Sequence, residues 1–424
     1  MPWNKSLANT AIYFGSNLLE KAIPFLLLPL MTAYLNPAEY GYMAIFNTLV
    51  VLLTPLIGMH MYSNISASWY KTNEHPINEV ITALTILITI SSSIGFIFFW
   101  VWQYTKISIL NIPPNILLWI PAIIFGSTLT QFYLTSLRLS EKALQYGTIQ
   151  ILLTIMNVGL SITFVIFLHM NWQGRALAML ISAVILGVLS LLFIIKDRLI
   201  TNKVSVEVIR DNLQFCIPLI PHAFGGIIIL ASDRIFIDKM LGKDAVGIYS
   251  VAYSFGLIMR MGSDAINKVW SPWLLKTLSQ KNNSNEYQII VAVYKQFILM
   301  LITGLAVGLL AYPIIPIMTT PAFHSASHLV LWIALGHSFE GMYRIIFGFI
   351  LHNKKTRFLA KNTFMAAIIN IILTFILIRF MGLIGAAIAT TLAYLYMFIS
   401  IWIFVNKIHP MPWFKFKELL HNAK

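Results

Sequence analysis

The chain has 424 residues, of which 58% are hydrophobic and only 10% charged, with a mean hydropathy of +0.79. Soluble domains average roughly 25% charged residues, so a water-soluble globular protein is excluded, as is intrinsic disorder, which needs low hydrophobicity. The net charge of +14 is read as membrane topology and not as nucleic-acid binding, because Lys and Arg collect in cytoplasmic loops.

At about 20 apolar residues per crossing plus a connection, the length accommodates about twelve transmembrane helices. The apolar stretches place them at about 8–35, 39–63, 80–104, 112–137, 147–169 and 174–195, then 213–240, 246–269, 291–312, 327–352, 361–380 and 384–406. The first stretch is too long for a cleavable leader and contains Glu20 and Lys21, so it reads as a retained span. The longest connections, 64–79, 196–212, 270–290 and the tail 407–424, are too short to form a domain. With the N-terminus inside, nineteen Lys and Arg fall on inside segments and five on outside ones (Lys106, Arg175, Lys239, Lys243, Arg379), which puts both termini in the cytoplasm. Trp100, Trp102 and Tyr104 close the third span, and Trp270 and Trp273 follow the eighth, where interface aromatics belong. The tail segment from Trp413 to Leu420 mixes aromatics with lysines and is expected either on the inner membrane surface or free. The single cysteine, Cys216, has no disulfide or metal partner.

The two halves resemble each other. LNPAEYGY from Leu35 is matched by LGKDAVGI from Leu241, and MNWQGRALA from Met170 by MGLIGAAIA from Met381, at offsets of 206 and 211 residues. An even number of spans per copy makes the repeats parallel. The expected architecture is all-α: two parallel six-helix bundles, a lobe at 1–195 and a lobe at 213–406, joined by a cytoplasmic linker 196–212 and followed by the tail 407–424. Two such lobes around a midplane cleft are the plan of an alternating-access transporter.

Charges inside spans cost about 2.5–3.5 kcal/mol at the bilayer centre on insertion scales, so they face a wet cavity or a partner. They are Glu20 and Lys21 in span one, Asp233 and Arg234 in span seven with Asp238 near its outer end, Arg260 and Asp264 in span eight, and Glu340 and Arg344 in span ten. Arg260, Asp264 and Lys268 share one helical face, as do His337, Glu340 and Arg344. An i, i+4 pair such as Glu340 and Arg344 can also neutralise itself and lock helices together. Pro24 and Pro29 in span one match Pro218 and Pro221 in span seven, which marks candidate hinges. Candidate polar residues for a glycan are Tyr13, Asn17, Asn47, His60, Tyr62, Asn64, His222, Ser232, Tyr249 and Tyr253, whose hydroxyls and amides suit sugars.

The twelve spans, the turn from Tyr34 to Gly41 (YLNPAEYG) and the Gly-x-x-Gly-Ala-Ala-x-Ala turn from Gly382 to Ala389 resemble the polysaccharide transporter family. That family includes the O-antigen (Wzx-type) flippases of the multidrug/oligosaccharidyl-lipid/polysaccharide exporter superfamily. The resemblance implies movement of an undecaprenyl-pyrophosphate-linked oligosaccharide across the bacterial inner membrane, in a cavity lined by spans one, two, seven and eight. It implies no cofactor, with membrane lipids, H⁺ or Na⁺, and the polysaccharide polymerase machinery as candidate partners. Lys21, Arg234, Arg260 and Arg344 are then expected at the pyrophosphate, Arg for its bidentate fork. Glu20, Asp233, Asp264 and Glu340 are expected as ion-coupling groups or charge partners.

Two rivals remain at this stage. A multidrug or cation antiporter of the same superfamily would favour an acidic cavity, and the core charges are mixed. A membrane O-antigen polymerase or ligase would need a large outer loop, and the outer connections are short. GHSFEG, from Gly336 to Gly341, misses the G-x-S-x-G nucleophile motif by one residue and lies within a span. No P-loop, Rossmann fingerprint or metal spacing appears, so the chain reads as a transporter and not an enzyme.

Overall fold

The computed structural model describes residues 27–70, 75–279, 283–353, 355 and 357–413, together with 12, 13, 15, 16, 19 and 25. The chain divides into two compact units, Met1–Ile227 and Ile228–Lys424. Among the described residues the structure is helical, and a single antiparallel bridge joins Ile109 to Ile112.

Unit one holds α1 (Leu28–Tyr34), α2 (Pro37–Gly58), α3 (Met61–Ser68), α4 (Ile77–Trp102), α5 (Pro114–Leu117), α6 (Trp119–Leu139), α7 (Ala143–Ile162), α8 (Asn171–Lys196) and α9 (Val206–Cys216). The LNPAEYG turn starts α2 for a local reason. Asn36 Oδ1 accepts from the Glu39 N–H at 2.9 Å, the Glu39 carboxylate accepts from the Asn36 N–H at 3.2 Å, and Pro37 opens the first turn. Helix α2 ends at Met59 and His60, both left-handed (φ 45° and 48°), which redirects the chain into α3. Helix α6 is the buried centre and packs on α2, α3, α4 and α8. Its crossing with α8 runs through Gly126 and Gly187. A Cβ at Gly187 would lie 2.5 Å from the Gly126 Cα, so only glycine permits this approach.

Helix α10 (Leu219–Leu241) runs across the boundary between the units. Unit two continues with α11 (Lys243–Ser279), α12 (Asn283–Met318), α13 (Ser327–His352), α14 (Arg357–Met381) and α15 (Leu383–Ile408). Helix α13 is its buried centre and packs on α11, α12 and α15. The internal repeat is structural. Asn171 and Gly382, matched in sequence, both have positive φ (51° and 60°) and stand where α8 and α15 begin. The matched Gly174 and Gly385 lie against the preceding helical segment. A Cβ would come to 3.0 Å of the Phe164 carbonyl carbon in one and under 3.0 Å of the Leu377 carbonyl in the other.

Nine helices among the described residues are long and apolar enough to cross a membrane. Two more have crossing length but fall outside that set: α11, with 37 residues, and α13, with 26. These are the helices that contain Arg260, Asp264, Glu340 and Arg344. The segments expected as connections are more helical than hydropathy indicates. Most of 270–290 extends α11 and α12, and most of 206–212, in the expected linker, belongs to α9. Hydropathy reports where lipid begins and ends, whereas a helix continues into water wherever its backbone bonds are satisfied. Span seven is interrupted: α9 ends at Cys216, and Pro218 stands in the break before α10. In the tail, Trp413 is 1% exposed, and its carbonyl accepts from the Tyr294 hydroxyl at 2.6 Å, so it joins the core instead of lying on a surface. The remainder of the tail lies outside the described residues.

Candidate functional site

Two polar clusters lie inside unit two. The first is ionic. Arg344 reaches Glu340 Oε1 at 2.5 Å along α13 and pairs with Asp264 of α11. Arg260 Nε lies 3.7 Å from the same Glu340 oxygen, and His337 Nδ1 lies 2.9 Å from Glu340 Oε2. The cluster thus joins two guanidinium groups, two carboxylates and an imidazole. Arg344 is committed to two carboxylates, while Arg260 makes one long contact and keeps 28% of its side chain exposed.

The second cluster surrounds Asp233 in α10, which is 0% exposed. Its Oδ2 accepts from the Tyr249 and Thr390 hydroxyls, each at 2.7 Å, and its Oδ1 from Thr374 at 3.4 Å. Asn370 Nδ2 donates to Thr390 Oγ1 at 3.2 Å, while its Oδ1 accepts from Ser232 at 2.9 Å. A carboxylate wholly removed from water is costly unless it meets a counter-charge or a proton. Carboxylate, amide and hydroxyl oxygens together are a hard-cation donor set.

Arg234 stands between the clusters. Its guanidinium carbon lies 4.5 Å from the centre of the Tyr253 ring, Nη1 donates to the Leu230 carbonyl at 3.0 Å, and Nε donates to Ser250 Oγ at 3.4 Å. Tyr253 in turn meets the His337 ring edge-on at 5.5 Å. These direct contacts of Arg234 are all to neutral groups, while the Asp233 carboxylate next to it in the chain lies within its electrostatic reach. Asp238 forms an ion pair of its own with Lys243 at 2.5 Å across the α10–α11 turn.

The structure thus brings together Arg260, Asp264, Glu340 and Arg344, and places Asp233 and Arg234 in adjoining surroundings. Glu20, Lys21 and Pro24 lie outside the described residues. Pro29 sits in the first turn of α1, Pro218 in the α9–α10 break and Pro221 in the first turn of α10. Of the polar residues considered for a glycan, Tyr249 binds Asp233, Ser232 binds Asn370, and Asn64 donates to Asn212 at 2.5 Å within unit one. Asn370, Thr374 and Thr390 were missed. The i, i+4 spacing of Asn370 and Thr374 in an apolar span was the available signal.

This architecture is that of a multi-pass membrane protein. The fold superposes on the lipid II flippase MurJ in an inward closed conformation with a TM-score of 0.74, at 16% identity, over 98% of this chain and 90% of that one. It also superposes on an inward-facing multidrug resistance MATE family transporter of the MOP superfamily with a TM-score of 0.68, at 14% identity, over 92% and 95%. Residues 6–278 match the family described as polysaccharide biosynthesis protein, and the chain belongs to that family. It is 22% identical over 394 residues to Lsg locus putative protein 1 of Haemophilus influenzae, covering 90% of this chain and 95% of the relative. It is also 25% identical over 198 residues to the probable low-salt glycan biosynthesis flippase Agl15 of Haloferax volcanii, covering 46% and 41%. The family is of flippase type.

Proposed function

We propose that the chain carries an undecaprenyl-pyrophosphate-linked oligosaccharide of the O-antigen repeat-unit type from the cytoplasmic to the periplasmic leaflet of a bacterial inner membrane. The observation that favours this reading is Arg234, a cation inside a span whose guanidinium contacts the Tyr253 ring, Ser250 and the Leu230 carbonyl and forms no salt bridge with a carboxylate among the described residues. A half-buried guanidinium outside any salt bridge suits a pyrophosphate. Arg260, loosely held by Glu340, adds a second contact; Lys21 is retained as a candidate on its sequence alone. Arg344, bracketed by Glu340 and Asp264, positions the cluster.

Coupling to an H⁺ or Na⁺ gradient is assigned to Asp233. A proton or a sodium ion on its carboxylate, with Asn370, Thr374 and Thr390 beside it, neutralises a fully buried charge. Movement is assigned to the proline-bearing spans one and seven, with both termini cytoplasmic. The flippase-named relative supports the substrate class, and the MATE-type fold supports alternating access.

The test is complementation of a strain lacking its own lipid-linked-glycan flippase. Restored surface polysaccharide, with loss of accumulated lipid-linked repeat units, is the expected result. Unchanged accumulation together with protection against cationic dyes would replace this reading with a drug antiporter.

A further inference from the structure

A groove of about 420 Å³ opens in unit one where the turn into α2 meets the turn into α8. It is lined by Glu39, Tyr42, His169, Asn171, Trp172 and Gln173, and its size falls within the roughly 300–1,000 Å³ of small-molecule sites. The rings of Tyr42 and Trp172 stack at 5.4 Å with 16° between their planes. His169 and Asn171 both have positive φ (49° and 51°). The loop that presents them is firmly held. The Leu168 N–H donates to the Thr163 carbonyl at 3.0 Å and the Met170 N–H to the Phe164 carbonyl at 2.9 Å.

The internal repeat shows how little of this lining the fold requires. At the matched positions of unit two, Glu39 becomes Ala245, Tyr42 becomes Ile248, and Asn171, Trp172 and Gln173 become Gly382, Leu383 and Ile384. The second copy starts α15 with aliphatic residues and glycine alone. The amides and aromatics of the first copy are therefore not needed to form the turns, whereas the Glu39 carboxylate also caps α2 through the Asn36 N–H. Interface anchoring does not explain Trp172 either, since it is only 7% exposed.

The lining also indicates which ligand it takes. It contains one carboxylate and no Lys or Arg, and Arg175 one turn into α8 is directed to Asn157 Oδ1 and Ser161 Oγ at 2.5 and 2.6 Å. Such a groove does not select a phosphate. Planar amides, a carboxylate oxygen and an aromatic stack suit the hydroxyls and the apolar face of a sugar ring. We propose that this groove, on the side the Lys/Arg bias assigns to the periplasm, is a carbohydrate subsite that holds one or two rings of the glycan as it leaves. The inference rests on the flippase reading and adds a binding site separate from the charged clusters of unit two.

The experiment places a photo-crosslinking amino acid at Gln173 of the full chain, in cells whose surface polysaccharide depends on that chain. Sugar on the crosslinked protein is detected by periodate oxidation and hydrazide-biotin. A sugar-bearing adduct is expected at Gln173 and none from the same probe at Leu144, an exposed residue at the start of α7. His169→Gly with Asn171→Gly keeps the left-handed backbone while removing both side chains, and should lower the adduct at least fivefold with the protein still inserted. Absence of a sugar adduct at Gln173 in exporting cells, equal labelling at Leu144, or an adduct indifferent to the double glycine variant would overturn the subsite. Surface polysaccharide that does not depend on the chain would instead overturn the flippase reading beneath it.

Discussion

Replacing Arg234 and Arg344 separately by Met distinguishes a cation kept for substrate from one kept for structure. Arg234→Met loses a cation–π contact worth about 0.5–2 kcal/mol and one hydrogen bond to a carbonyl worth about 1 kcal/mol. It also relieves the burial of a charge that costs about 2.5–3.5 kcal/mol on insertion scales. These nearly cancel, so the inserted amount of protein should match wild type. Arg344→Met leaves Glu340 and Asp264 without their shared partner, and breaking a buried pair costs about 3–5 kcal/mol. That variant should be poorly inserted or degraded. Export should follow the opposite order when expressed per inserted molecule. A charge-assisted contact to a phosphate is worth about 1.5–3 kcal/mol, so Arg234→Met should weaken substrate affinity about 10- to 150-fold. The assay combines an immunoblot of the membrane fraction with measurement of surface polymer and accumulated lipid-linked repeat units. Wild-type export per molecule in Arg234→Met, or equal loss of protein in both variants, would refute the division of roles.

Asp233→Asn keeps the shape of the buried cluster while removing its charge, so the protein should insert normally but lose the response of transport to an imposed H⁺ or Na⁺ gradient; an unchanged gradient response would remove Asp233 from coupling. Gly187→Ala forces a methyl group against the Gly126 backbone and should cost about 1–3 kcal/mol, whereas Gly226→Ala, with nothing within 4 Å, should be neutral in the same thermal-unfolding measurement. His409, just beyond α15, has its pKa held below the usual histidine value, first by burial and then by His352, with Glu286 opposing. A lowered pKa means the folded state favours the neutral ring, so its stabilisation is present above about pH 6.5 and is lost as pH falls through the folded value. Protease protection of the α15 end should weaken between pH 7.5 and 5.5 in wild type, and His409→Phe should abolish that pH dependence.

Much of this was legible in the sequence because it rests on period and composition. The shared face of His337, Glu340 and Arg344 follows from helical spacing, and the repeat follows from two short matches whose glycines, Gly174 and Gly385, serve the same close approach. Partners across helices were not legible. Asp264 belongs to Arg344 because α11 packs on α13, and nothing in a one-dimensional pattern registers that crossing. The oxygens beside Asp233 come from α11, α14 and α15, and single Asn and Thr residues in apolar spans do not announce themselves. The groove beside Trp172 emerged only when two turns distant in sequence were seen to share one wall.

The lengths of α11 and α12 have a mechanical consequence. Residues 270–279 of α11 continue about 15 Å past the apolar stretch at a rise of about 1.5 Å per residue, and the start of α12 runs beside them. Half the hydrocarbon thickness is about 15 Å, so the tip of this hairpin stands about twice as far from the bilayer midplane as the edge of the hydrocarbon does. Any tilt of the pair about the midplane is doubled at the tip, which makes the hairpin a lever. A fluorophore on Thr277, near its end, would register rocking of unit two with a larger amplitude than a label at the hydrocarbon edge.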